Sequence, residues 1–110
     1  MPEVSRDDLG RRVFQLKKEK AAEAALDSIR NNLGQSWESL TTDDIAALAH
    51  ILREMWGVTG RDVWGAYIFS SLTLSDVRAL IPMGKDALGG IRIDREFVAK
   101  FERIMQHATS

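Results

Sequence analysis

One local pattern recurs along this chain and commits it to helices. In Leu40-Thr41-Thr42-Asp43-Asp44-Ile45, an apolar residue precedes a hydroxyl residue, an acid follows three positions on, and an apolar residue comes next. Val58-Thr59-Gly60-Arg61-Asp62-Val63 and Leu72-Thr73-Leu74-Ser75-Asp76-Val77 have the same form, and so does Val4 to Leu9 around Ser5 and Asp8. The hydroxyl oxygen accepts from a backbone N–H that has no partner inside the helix. The acid sits at the positive end of the helix dipole, where a capping box places Glu or Gln, and the two apolar residues close as a staple. A reduced version at Ile93, Asp94 and Val98 makes a fifth start. The pattern therefore predicts an all-α fold: a compact irregular bundle of about five helices, the first the longest, with helices two to four short and joined by tight turns.

Stop signals and periodicity set the expected bounds. The first helix runs from about Arg6 to Asn32, with Gly34 free to take the left-handed conformation after it. It carries two apolar rows. Leu9, Val13 and Leu16 form one; Ala22, Ala25, Leu26, Ile29 and Leu33 form the other. The segment from Ala21 to Leu33 is expected to dock on the core, and the part before it to project into solvent or onto a partner. Gln35 to Ser39 is a connector, with Trp37 against the side of the core. The second helix, Thr42 to Trp56, shows a row of Ile45, Leu48, Leu52 and Met55, and Gly57 is expected to end it. The third spans Gly60 to Ser71. The fourth is Leu74 to Ile81, limited by Pro82, and a flexible loop is expected from Met83 to Gly90. Ile91 to Ile93 is extended, and a last helix capped by Asp94 reaches about Gln106. Residues 1–5 and 107–110 are expected to fray around a single domain spanning 1–110.

Composition narrows the classes of function. Apolar residues make up 45% and charged residues 28%, as in a folded globular chain. Fifteen basic and 16 acidic residues leave a net charge of −1, so no global field favours nucleic acid or an anionic membrane. There is no cysteine, which excludes disulfides and thiolate metal sites. No apolar run is long enough to span a membrane, and the acidic N-terminus is unlike a secretory signal. The expected location is cytoplasmic.

No catalytic constellation can be assembled. His50 and His107 lie far apart in sequence, and the pairs Asp7-Asp8 and Asp43-Asp44 fall in first helical turns, where capping accounts for them. No phosphate loop or nucleophile elbow is present. The expectation is a protein that is not an enzyme and takes no cofactor or metal.

The string Trp56-Gly57-Val58-Thr59-Gly60-Arg61-Asp62-Val63, within Leu52 to Ile68, resembles the turn and the start of the recognition helix in bacterial helix-turn-helix repressors. The resemblance implies DNA contact through Arg61, with phosphate contacts from Arg12, Lys17, Lys18 and Lys20. It departs from the motif at Arg53, where a small residue is usual. It departs again on the base-reading face, where Arg61 is offset by Asp62.

Aromatic density points elsewhere. Trp56, Trp64, Tyr67 and Phe69 lie in or next to the third expected helix, more than a short helix easily buries. The leading expectation is a non-enzymatic protein-interaction or regulatory domain. It would bind a protein partner or a second copy through Trp64 and Tyr67, with Arg61 and Arg53 at the rim. A small DNA-binding regulator is the alternative.

Overall fold

The computed structural model describes residues 6–59 and 69–109, with the side chains of 8–59 and 69–106. Four α-helices occupy those residues: α1 (Arg6–Leu33), α2 (Thr42–Thr59), α3 (Leu74–Leu88) and α4 (Arg95–Thr109). Short 3-10 turns at Gly34–Ser39 and Phe69–Ser71 complete them. The chain is thus all-helical across the described residues, with four helices where five were expected. Most of the third expected helix lies outside those residues, and its last three form the second 3-10 turn.

Three of the expected starts behave as capping chemistry requires, and the one at Ser5 lies outside the described residues. Thr41 Oγ1 accepts from the Asp44 N–H (3.1 Å), and the Thr41 N–H donates back to the Asp44 carboxylate (3.1 Å). Thr73 and Asp76 form the same reciprocal pair before α3. Asp94 Oδ1 accepts from the Phe97 N–H (2.9 Å) at the start of α4. Thr59 is the last residue of α2, and its hydroxyl donates to the Met55 carbonyl one turn back (2.6 Å); the helix expected to start after it lies outside the described residues. Gly34, at φ +57°, stops α1 in the left-handed conformation.

Two expected breaks are absent. α2 continues through Gly57 and Val58. α3 continues through Pro82, so Met83 to Leu88 are helix and not loop. Proline removes one backbone N–H and costs a helix interior about 3 kcal/mol. Burial of Val77, Leu80, Ile81 and Met83 on both sides of Pro82 outweighs that cost. α3 stops at Gly89 and Gly90, where Gly90 at φ +95° lets the Ile91 N–H reach the Asp86 carbonyl (3.0 Å).

α2 is the central helix. It packs on α3 and on α1, and its buried face (Ala47, Leu48, Ile51, Leu52, Met55, Trp56) is wide enough for both. Phe97, Phe101 and Met105 of α4 close the core, and Trp37 is half-buried against its edge. The closest approach joins α2 to α3 at Gly84. A Cβ there would overlap the Ala47 carbonyl oxygen and lie 2.6 Å from its carbon. Beside this crossing Lys85 Nζ meets the Asp44 carboxylate at 3.0 Å.

Candidate functional site

α1 differs from the other helices because its two halves are apolar on different sides. At 100° per residue, Ala22, Ala25 and Ile29 share one direction, and all three are buried. Leu9, Val13 and Leu16 share a direction about 170° away from it. A row on that side cannot meet the core that holds Ala22 to Ile29. It stays in solvent, with Leu9, Val13 and Leu16 at 49%, 49% and 58% exposure. At 1.5 Å per residue this 28-residue helix is about 42 Å long, and it accounts for the 49 Å long axis of a molecule only 29 Å across.

The core-facing side of α1 reaches further toward the N-terminus than Ala21, where docking was expected to begin. Lys18 Nζ lies 3.4 Å from the Glu54 carboxylate, with only 14% of the Lys18 side chain exposed. One turn earlier the Phe14 ring tilts against Trp56, centroids 5.3 Å apart. Phe14 is the residue the sequence reading missed. It belongs to neither apolar row; it points toward α2 when the phase of Ala22 to Ile29 is carried back along the helix, and it stays 46% exposed beyond its contact with Trp56. The pairing of Lys18 with Glu54 and of Phe14 with Trp56 makes α1 and α2 antiparallel, and at the other end of α1 the Asn32 amide donates to the Leu72 carbonyl (2.7 Å), just before α3.

The expected site residues divide unevenly. Arg61, Trp64 and Tyr67 lie outside the described residues. Arg53 is half-buried on α2. Arg12, Lys17 and Lys20 are exposed, whereas Lys18 is engaged by Glu54, so the cations do not form one stripe. Helix geometry is the reason: Lys17, Lys18 and Lys20 point in three directions. The helix-turn-helix resemblance needs a turn at Gly57, and that residue is helical. Trp56, expected among the aromatic surplus, is buried, and so is Phe69.

The rest of the described surface offers open grooves on either side of α4. One of about 580 Å³ is lined by Val58, Ile93, Val98 and mixed charges, and one of about 400 Å³ by Asp86, Arg92, Glu96, Lys100 and Arg103. Opposite charges alternate in both, so neither has a preferred ligand sign. No cluster of three or more metal-ligating side chains occurs among the described residues, and none of their polar or charged side chains is buried. The shifted carboxyl is that of Asp44. The Thr41 backbone N–H, followed by the Lys85 ammonium, holds it below its ordinary value, which is the signature of a helix cap. No described helix is long and apolar enough to cross a membrane. Comparison of the chain with protein-family models, curated proteins and solved structures gave no match.

Proposed function

We propose that this chain is a non-enzymatic protein-interaction or regulatory domain that docks a protein partner or a second copy of itself. The observation that carries the proposal is the exposed row Leu9, Val13 and Leu16 on the projecting half of α1, facing away from the core. Leaving three branched aliphatic side chains in one contiguous row in water forgoes several kcal/mol of burial, which a docked partner recovers. α1 meets α2 beside this row through the Lys18–Glu54 pair and the Phe14–Trp56 contact, which lie on the side opposite Leu9, Val13 and Leu16. A docked partner is tethered at one end of an elongated molecule. Trp64 and Tyr67 extend this proposal on sequence grounds, as anchors with Arg61 and Arg53 at their rim.

The test is the paired substitution Leu9→Glu and Leu16→Glu, compared with wild type for self-association by mass measurement and for partner capture from the native host. Both positions are exposed, so the circular-dichroism spectrum stays unchanged while association is lost. Retention of every wild-type interaction by this variant overturns the proposal. Trp64→Ala tests the sequence-based extension: loss of capture with helicity intact supports it, and unfolding assigns Trp64 to the core.

A further inference from the structure

We infer that the occupant of the α1 row is a second copy of this chain, bound antiparallel through the same row with Val13 against Leu16 of the partner subunit. The inference rests on the docking role proposed for that row and adds its partner and register. The row steps by four and then three residues, Leu9 to Val13 to Leu16, and Lys20 continues it on the same side. These are the seam positions of a two-helix pair. Arg12 and Glu19 border the seam on one flank, and Gly10 and Lys17 on the other. All eight of these residues are exposed along α1.

Charge selects the arrangement. In an antiparallel pair, four residues down one helix match four up the other. Val13 against the partner's Leu16 therefore places Leu9 against the partner's Lys20, whose methylene stem covers Leu9 while its ammonium reaches water. On the flanks, Arg12 meets the partner's Glu19, and twofold symmetry repeats that contact. Lys17 meets the partner's Gly10, which carries no charge and no bulk. Sliding the helices by one heptad, so that Leu9 faces the partner's Val13, sets Arg12 against the partner's Arg12. Parallel pairing in register sets Arg12 beside the partner's Lys17 and Lys20 beside the partner's Lys20. The antiparallel register alone among these buries the row with opposite charges at its rim. Among the described residues, the buried side chains of α1 (Ala22, Ala25 and Ile29) lie on the side opposite the seam.

A seam of this length lies below the usual size of stable interfaces, so the expected dissociation constant is on the order of 10–100 µM. Sedimentation equilibrium of the full chain up to about 500 µM reads it. Arg12→Glu and Glu19→Arg each place like charges at both flanking contacts, and each weakens the dimer by about 5-fold or more. Mixing the two variants makes both contacts attractive again and restores wild-type affinity in the heterodimer. The chain has no cysteine, so Asp27→Cys carries a single spin label. The labels lie about 37 Å apart along the axis of the antiparallel pair and about 10 Å apart in a parallel one. A single-chain mass at every concentration overturns the second copy while leaving the row to a different protein. A dimer indifferent to Arg12→Glu and Glu19→Arg, or a short label distance, overturns the register. A dimer that survives Leu9→Glu with Leu16→Glu overturns this inference and the docking role together.

Discussion

The substitution Gly84→Ala tests the packing of this fold most directly. Gly84 lies inside α3, where alanine is preferred over glycine by about 1 kcal/mol on helix propensity alone. An isolated helix would gain that amount. Here the added Cβ would sit 2.6 Å from the Ala47 carbonyl carbon and 3.1 Å from its Cα, whereas carbon atoms rest at about 3.5 Å or more. Every close atom is backbone, so no side chain can swing aside. α3 must move off α2 by about 1 Å. That displacement loosens Val77, Leu80, Ile81 and Met83 against the core at once, which places the cost at the upper end of overpacking, about 3–4 kcal/mol. Subtracting the propensity gain leaves a net loss of about 2–3 kcal/mol, a large part of the roughly 5–15 kcal/mol that holds such a domain folded. The melting temperature should fall by about 10–20 °C in a thermal circular-dichroism scan. Gly10→Ala is the matched control. It too is helical, but a Cβ there meets nothing within 4 Å, so it should raise stability by about 0.5–1 kcal/mol. Adding Ala47→Gly to Gly84→Ala should bring no rescue, since the clash is with the main chain. A Gly84→Ala protein as stable as wild type, or one rescued by Ala47→Gly, refutes the close crossing.

Gly57→Ala separates a continuous α2 from a turn: a Cβ there meets only the edge of Phe14 at 3.8 Å, so urea denaturation should show a gain of about 0.5 kcal/mol, and a loss would restore the turn. Thr73→Ala removes the acceptor for the Asp76 N–H and should cost about 1 kcal/mol in the same assay. Asp44 has its folded carboxyl value lowered below the ordinary 3.8, chiefly by the Thr41 N–H and then by Lys85. Its contribution is therefore fully present above about pH 4 and is lost as pH falls through the lowered folded value. Denaturation midpoints of wild type and Asp44→Asn, taken from pH 7 down to pH 2, should differ most at neutral pH and converge in acid.

The helix starts were legible because capping is local: Thr41 with Asp44, Thr73 with Asp76, and Asp94 with Phe97 each complete their bonds within four residues. The stops were less so. Proline and glycine are breakers only when no tertiary contact opposes them. Pro82 is carried by buried residues on either side of it, and that burial depends on α2, far away in sequence. Gly84 shows the same ambiguity. The residue that lends freedom to a loop also lets two backbones touch, and only the position of Ala47 decides between them.

The candidate site is the reverse case, in which the sequence holds more than a scan for apolar residues reveals. Leu9, Val13 and Leu16 recur at the same helical spacing as Ala22, Ala25 and Ile29, and both sets look like a core-facing face. The difference lies in phase. Between Leu16 and Ala22 the run Lys17-Lys18-Glu19-Lys20 carries no apolar residue, and across it the apolar direction turns by about half a circle. One straight helix cannot offer both rows to one core. The longer run of small and aliphatic residues, continued by Leu33, takes the core, and Lys18 and Phe14 follow its phase onto α2. The other row is left facing outward by geometry, independently of any property of a partner. For the same reason, substitutions along it should leave stability nearly unchanged, within about 0.5 kcal/mol, while those at Ala25 or Ile29 should not. Ile29→Ala, at a fully buried position, should cost about 2–5 kcal/mol, and Leu16→Ala close to nothing, in matched urea denaturations. If Leu16→Ala at low micromolar protein destabilised the chain as much as Ile29→Ala does, the row would be packed within the monomer and both α1 proposals would fail.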